Sequence, residues 1–411
     1  VNRPPNPSQT RASLGPEEVY EVLTADGWTL AITRFPGPRP VREGEASPAA
    51  SRGDDQPLLP GQPLLPGQPI LLVHGFSQNR LAWTSGEFIP ALHAHGFDVH
   101  VLELRGHGRS SVERQRAVSR ETGRPVPVTL DYLWDFSDYW LHDVPAALEA
   151  VKARTGAGRV AYCGHSMGGL IGYALAARRD DLLCLGTVGS PADVGAESGL
   201  LRAAARAEGL VPWVQRGMRG YEALRRRAAG TPLGPLARRL PAATGGHFPS
   251  DVLLGTVYRA MLSAHERMPY WVPRGLRLFN PERARPEDVK WLLRFGEERE
   301  PLAVTRTFLR WIRRGELVDY RTGFDIRAGF QRISIPVVIY FGTEDILGGP
   351  ESTRSARHGV ASEYVVWEAL DGAAHIDITM GHGTDRIAAG LAQAARHALR
   401  VPDDRAATHT P

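Results

Sequence analysis

The strongest pattern along the chain is a series of short apolar runs, each closed by glycine or a polar cluster. PILLVHGF (69–76), FDVHVLEL (97–104), RVAYCGH (159–165), LLCLGTVGS (182–190), IPVVIYFGTED (335–345) and SEYVVWEAL (362–370) all have strand length. Most are continuous rather than alternating, which predicts strands covered on both faces, as in a parallel sheet. Between them the period changes. Val144, Leu148 and Val151 recur at i, i+4, i+7 within 138–153, and the segments 166–179 and 384–400 also read as helices. Strands alternating with helices predict βαβ units and a doubly wound, mostly parallel sheet. Ahead of them, VYEVLTADGWTLAITRF (19–35) holds two β-rich runs around Asp26-Gly27, the signal of a hairpin.

This rhythm stops after the sixth core strand and resumes only at IPVVIYFGTED, a gap far beyond ordinary loop length. Residues 192–330 therefore predict a structured insertion, a helical cap between strands 6 and 7. Within it Leu210, Val214, Met218, Tyr221 and Leu224 share one helical face, with arginines on the other, and such a stripe is read as packing surface. The α/β core then comprises 17–191 and 331–401, with a flexible start at 1–16 and a flexible tail at 402–411. The Pro/Gly-rich stretch 36–68, which contains QPLLPG twice in succession, reads as a surface excursion, because two hexapeptides cannot stack into a solenoid.

Composition narrows the classes. With 411 residues, 42% of them hydrophobic, the chain can bury a sizeable core. Its net charge of +4 is mild, and no arginine block is interleaved with aromatics, so no nucleic-acid partner is expected. Cys163 and Cys184 make no disulfide framework and sit in no metal-ligand spacing, so both are expected buried on strands, with no metal site and no cofactor. No apolar run reaches membrane-span length. The amino terminus lacks the apolar stretch of a signal peptide, which makes a cytoplasmic location the expectation.

The sharpest chemical motif is Gly164-His165-Ser166-Met167-Gly168, a G-x-S-x-G between an expected strand and an expected helix. A serine raised on so tight a turn needs strained backbone, and its flanking glycines let neighbouring segments approach without a Cβ clash. A serine hydroxyl is a weak nucleophile at neutral pH, so it needs a base, and the base needs an orienting acid. In this architecture both follow the serine, on loops at the carboxyl ends of later strands. Asp345 is the expected acid and His375 the expected base. Glu344, adjacent to Asp345, points to the opposite side of an emerging strand. Asp193 is a second candidate acid. His165 and His107 read as packing or hydrogen-bonding residues, His382 as a capping or surface residue, and Asp377 as a support for the histidine loop. An oxyanion at the attacked carbonyl needs two donors, expected from the backbone N–H groups of Phe76, after the ILLV strand, and Met167, at the helix start.

These segments resemble the α/β-hydrolase superfamily, and within it the acid lipase group of gastric and lysosomal type. The resemblance is carried by the HGF segment, the GHSMGG elbow, the GTED acid loop and the AAHID histidine loop. EVLTADGWTLAITR, DFSDYWLHDVPAALEAVKARTGAGRVAYCGHSMGG and FLRWIRRGELVDY carry the narrower likeness. The elbow departs from the group by reading S-M-G-G in place of S-Q-G-T. The resemblance implies an α/β-hydrolase fold and a serine carboxylic ester hydrolase acting on small-molecule or lipid esters through an acyl-enzyme. The same constellation serves acyltransferases and thioesterases, and a silent hydrolase-like binding protein is the reading from another class. A cap above the serine would shape an apolar pocket, with Trp213, Met218, Phe248 and Trp271 as expected substrate-binding residues, and its arginine face offers transient contact with a lipid interface.

Overall fold

The computed structural model describes residues 14, 16–37, 67–231, 247–248 and 278–400. Apart from their edges, the expected flexible start, the 36–68 excursion and the tail lie outside the described residues.

Eight strands form one sheet in the order β1-β2-β4-β3-β5-β6-β9-β10. They are β1 (Glu18–Leu23), β2 (Thr29–Phe35), β3 (Gln68–Val73), β4 (Phe97–Glu103), β5 (Val160–His165), β6 (Leu182–Val188), β9 (Val337–Gly342) and β10 (Val365–Leu370). β1 and β2 form the expected antiparallel hairpin around Asp26-Gly27, closed by the Thr24 N–H on the Trp28 carbonyl at 2.8 Å, with Gly27 at a φ of 90°. β2 meets β4 antiparallel, and the remaining pairings of this sheet are parallel.

The continuous apolar runs are explained by what lies on each face. Leu71, Val73, Tyr162, Leu185, Val337 and Ile339 enter one core layer. Their alternate neighbours Ile70, Leu72, Cys163, Cys184, Val338 and Tyr340 enter the other. Because successive strand residues point to opposite faces, burial on both sides demands an apolar residue at every position. Truncating one of these, such as Leu72 to Ala, is expected to cost about 2–5 kcal/mol. Both cysteines are buried and free, and burial raises their thiol pKa values, that of Cys184 to about 12.

The helix expected at 138–153 starts at Phe136 and passes through a π-helical turn, Tyr139–Asp143, before the regular helix Val144–Thr155. In that turn the Asp143 carboxylate accepts from the Arg105 guanidinium at 2.7 and 2.8 Å, while the Tyr139 hydroxyl donates to Glu300 at 2.9 Å. Single π turns inside helices often serve to aim particular side chains.

Between β6 and β9 the described residues form the helices Gly199–Ala205, Val211–Ala229, Pro286–Phe295 and Leu302–Arg314. A short antiparallel pair, β7 (His247–Phe248) with β8 (Glu300–Pro301), joins them. The buried Glu208 carboxylate pairs with Arg306, Arg310 and Arg313 and so ties two parts of the insertion together. The helical face expected to pack is not wholly buried, since Leu224 is 67% exposed. Helical spacing specifies a face but not whether anything covers it. Among the described residues no helix is long and apolar enough to cross a membrane.

Candidate active site

Ser166 stands between β5 and the helix Met167–Ala176 with φ 51° and ψ −116°, a region that residues with a Cβ rarely enter. Such strain costs about 1–3 kcal/mol and persists only where surroundings enforce it. Here the Ser166 N–H donates to the Val188 carbonyl at 2.9 Å, and the Ser166 carbonyl accepts from Gly169 at 3.0 Å. The flanking glycines are required by contact. A Cβ on Gly164 would lie 2.2 Å from the Gly168 carbonyl carbon, and one on Gly168 would lie 2.2 Å from the Val73 oxygen.

The loops after β9 and β10 bring Asp345 and His375 to the serine. His375 Nε2 is 3.0 Å from Ser166 Oγ, and its Nδ1 is 3.0 Å from each Asp345 oxygen. Asp345 Oδ1 also accepts the N–H groups of Leu347 and Gly348 at 2.8 Å. Burial alone would raise the Asp345 pKa, but His375 and those two amides outweigh it and hold the carboxyl below its usual range. The carboxylate is thus kept charged against the Nδ1 side of the ring. This leaves Nε2 facing the hydroxyl as proton acceptor.

His165 lies beside this trio and bridges its parts. Its ring nitrogens face Gln78 Oε1 and the His375 carbonyl, each at 2.9 Å. Burial and the neighbouring His375 push its pKa down to about 3, so the ring is neutral and its single N–H donates to only one of these two oxygens. Gln78 Oε1 in turn accepts the Gly75 N–H at 2.9 Å. A Cβ on Gly75 would come within 2.9 Å of the Ser166 Cβ, so the turn carrying Phe76 passes directly against Ser166. Met167 opens its helix, where no preceding turn supplies an acceptor for its N–H. The helix dipole adds partial positive charge at that end.

The remaining candidates are dispersed. Asp193 pairs with Arg327 at 2.7 Å, and the Glu344 amide donates to the Ala373 carbonyl at 2.9 Å. His382 is exposed. Asp377 is buried beneath the histidine loop, where it accepts N–H groups from Asn280 at 2.7 Å and Ala374 at 3.2 Å. Burial nevertheless raises its pKa to about 7. Trp213, expected in the substrate pocket, is 67% exposed, with the Arg216 guanidinium 5.4 Å from its ring centroid. Phe248 is placed on β7 opposite Glu300, whereas Trp271 and the Met218 side chain lie outside the described residues. One grouping with metal-ligand character occurs among the described residues, Asp26, Asp138 and His142. Arg105 already lies 2.7 Å from Asp26 and 3.6 Å from Asp138, so a guanidinium fills the place a cation would take. Sequence reasoning missed Gln78, because nothing local marks a glutamine as a bridge to residues far along the chain.

The parallel sheet, the strained serine between strand and helix, and the acid and histidine loops beyond it define the α/β-hydrolase fold. A family model described as the alpha/beta hydrolase fold matches residues 68–230. The chain is similar to triacylglycerol lipase 2 of Arabidopsis thaliana, 27% identical over 162 residues, which is 38% of this chain and 32% of that protein. It is also similar to lipase member N of Mus musculus, 24% identical over 158 residues, 38% of this chain and 34% of that one. The chain thus spans about a third of the length of the curated relatives it matches. Among solved structures, a membrane phospholipase A described as a bacterial virulence factor superposes with a TM-score of 0.51 at 16% identity, covering 94% of this chain and 89% of that one. At that identity the likeness shows the fold alone.

Proposed function

We propose that the chain is a serine carboxylic ester hydrolase that cleaves apolar acyl esters through an acyl-enzyme. The observation that carries this reading is the continuous line from Asp345 through His375 to Ser166 Oγ, every step at 3.0 Å, on a serine in strained backbone. The similarity to lipases in sequence supports ester chemistry over other uses of the fold.

In the first half-reaction Ser166 Oγ passes its proton to His375 Nε2 and bonds to the ester carbonyl carbon. The carbonyl oxygen becomes an oxyanion held by the N–H groups of Phe76 and Met167. Asp345 stabilises the imidazolium, whose proton then moves to the leaving alkoxide as the carbon–oxygen bond breaks. In the second half-reaction water attacks the acyl-serine, His375 takes a water proton, and returning it to Ser166 Oγ releases the acid.

A p-nitrophenyl ester series of increasing acyl length tests this on the wild type and on Ser166→Ala. Turnover lost in Ser166→Ala and His375→Ala but retained in His382→Ala is the expected result. Full turnover in Ser166→Ala would sink the mechanism. The acyl-length optimum, compared on soluble and micellar esters, divides an esterase from a lipase that meets its substrate at an interface.

A further inference from the structure

We infer that Glu300, delivered by the returning end of the insertion, is a positioning residue that holds the oxyanion turn in its donating conformation, an inference that rests on the ester-hydrolase reading above. The turn is Gly75-Phe76-Ser77-Gln78, closed by the Gln78 N–H on the Gly75 carbonyl at 3.3 Å. Ser77 sits in the left-handed region, with φ 59°, although it carries a Cβ. A residue in that conformation relaxes unless its surroundings forbid it.

Those surroundings come from the insertion, more than two hundred residues later. The Ser77 N–H donates to Glu300 Oε1 at 2.9 Å. The Ser77 carbonyl accepts the Glu298 N–H at 2.9 Å, and the Ser77 hydroxyl donates to the Glu298 carbonyl. The polar groups of Ser77 are thus all held by residues 298–300. Phe308, on the helix that follows, packs edge-on against the Phe76 ring with centroids 5.5 Å apart. The Glu298 side chain fastens both sides of the turn's base, accepting from Asn79 Nδ2 at 2.8 Å and from the Gly108 N–H at 3.0 Å.

Glu300 is suited to this task because it is itself fixed. It is fully buried, and its second oxygen accepts the Tyr139 hydroxyl at 2.9 Å, which in turn accepts from Trp134 Nε1 at 2.8 Å. Its first oxygen also lies 3.1 Å from His107 Nε2, while His107 Nδ1 faces the Arg105 carbonyl at 2.8 Å. Both His107 nitrogens therefore face acceptors, as an imidazolium requires. Burial opposes that charge, but Glu300 with Glu298 carries the His107 pKa up to about 9. A buried carboxylate meeting three donors makes charge-assisted bonds that a neutral acceptor cannot match. Without it the buried Ser77 N–H is left unpaired, Ser77 relaxes, and rotation there carries the adjoining Phe76 N–H away from the oxyanion.

The test compares wild type, Glu300→Ala and Glu300→Gln on p-nitrophenyl butyrate and on a trifluoromethyl ketone that mimics the tetrahedral adduct, with folding followed by circular dichroism. Loss of one oxyanion donor lowers kcat by about 10²–10³. Glu300→Ala is expected to lose on the order of 10² in kcat with KM within about threefold, and the ketone inhibition constant should rise by the factor that kcat/KM falls. Glu300→Gln keeps an acceptor for Ser77, but a neutral and weaker one, so it should lose several-fold in both measures while staying within about tenfold of wild type. A folded Glu300→Ala with near-wild-type kcat, or one that loses kcat while binding the ketone as before, overturns the assignment. Should Glu300→Ala fail to fold, Glu300→Gln decides: a parallel loss of several-fold supports the role, and no loss in either measure refutes it. Absence of ester turnover in the wild type is a different result, which sinks the ester-hydrolase reading and this inference with it.

Discussion

Replacing Asp345 by Asn tests the role given to that residue, because its hydrogen bonds dictate how an amide must sit there. Oδ1 accepts two backbone N–H groups, from Leu347 and Gly348, each at 2.8 Å. In Asp345→Asn that position must remain an oxygen, since an NH₂ there would face two donors. The NH₂ is then forced to the Oδ2 place, 3.0 Å from His375 Nδ1. A donor facing Nδ1 makes that nitrogen an acceptor and moves the ring proton to Nε2, the atom that takes the proton of Ser166 Oγ in the proposed mechanism. The substitution preserves shape while fixing the wrong tautomer. By analogy with serine hydrolases generally, this loss is worth about 10⁴ in kcat, or roughly 5 kcal/mol of barrier. Steady-state hydrolysis of p-nitrophenyl butyrate should show that fall with the melting temperature little changed, while Glu344→Gln stays close to wild type. Asp345→Asn within about tenfold of wild-type kcat would refute the tautomer argument.

Two further outcomes follow from named contacts. Gly168→Ala places a Cβ 2.2 Å from the Val73 oxygen and 2.8 Å from the His74 oxygen, both main-chain atoms that cannot step aside. Overpacking of this kind costs about 1–3 kcal/mol or more, so urea unfolding should show a lower midpoint together with lost turnover. The His107 pKa, about 9 in the folded chain, lies above its ordinary value of 6.5, so its ion pair with Glu300 contributes stability that is complete below pH 6.5. That contribution is lost as pH rises through about 9, by up to about 3 kcal/mol in all. Urea midpoints at pH 6 and pH 9.5 should therefore differ more in the wild type than in His107→Gln, and equal differences would count against the pair.

The sheet was legible because its signals are local. An apolar residue at every position of 70–73 or 337–341 requires cover on both faces, and the structure has a core layer on each. The glycines around Ser166 were legible for the same reason, since the turn that needs them is built from adjacent residues. Asp345 and His375 could be placed as candidates because each lies on the loop that follows a strand, and parallel strands deliver their carboxyl ends to one edge. The insertion was legible as a length of chain but not as a surface. Helical spacing alone cannot say that Leu224 and Trp213 stand in solvent.

What the sequence by itself determined, then, is the order of strands and helices, the strained serine turn and the short set of residues able to serve it. Only the tertiary structure decided which side chains hold those residues in place. Glu300 against Ser77, Gln78 against His165 and Asp377 against Asn280 are separated by 223, 87 and 97 positions along the chain. A buried carboxylate or amide acquires its role from the donors that folding brings around it. No periodicity, spacing or composition near Glu300 records that its partners are the amide of Ser77, the imidazole of His107 and the hydroxyl of Tyr139.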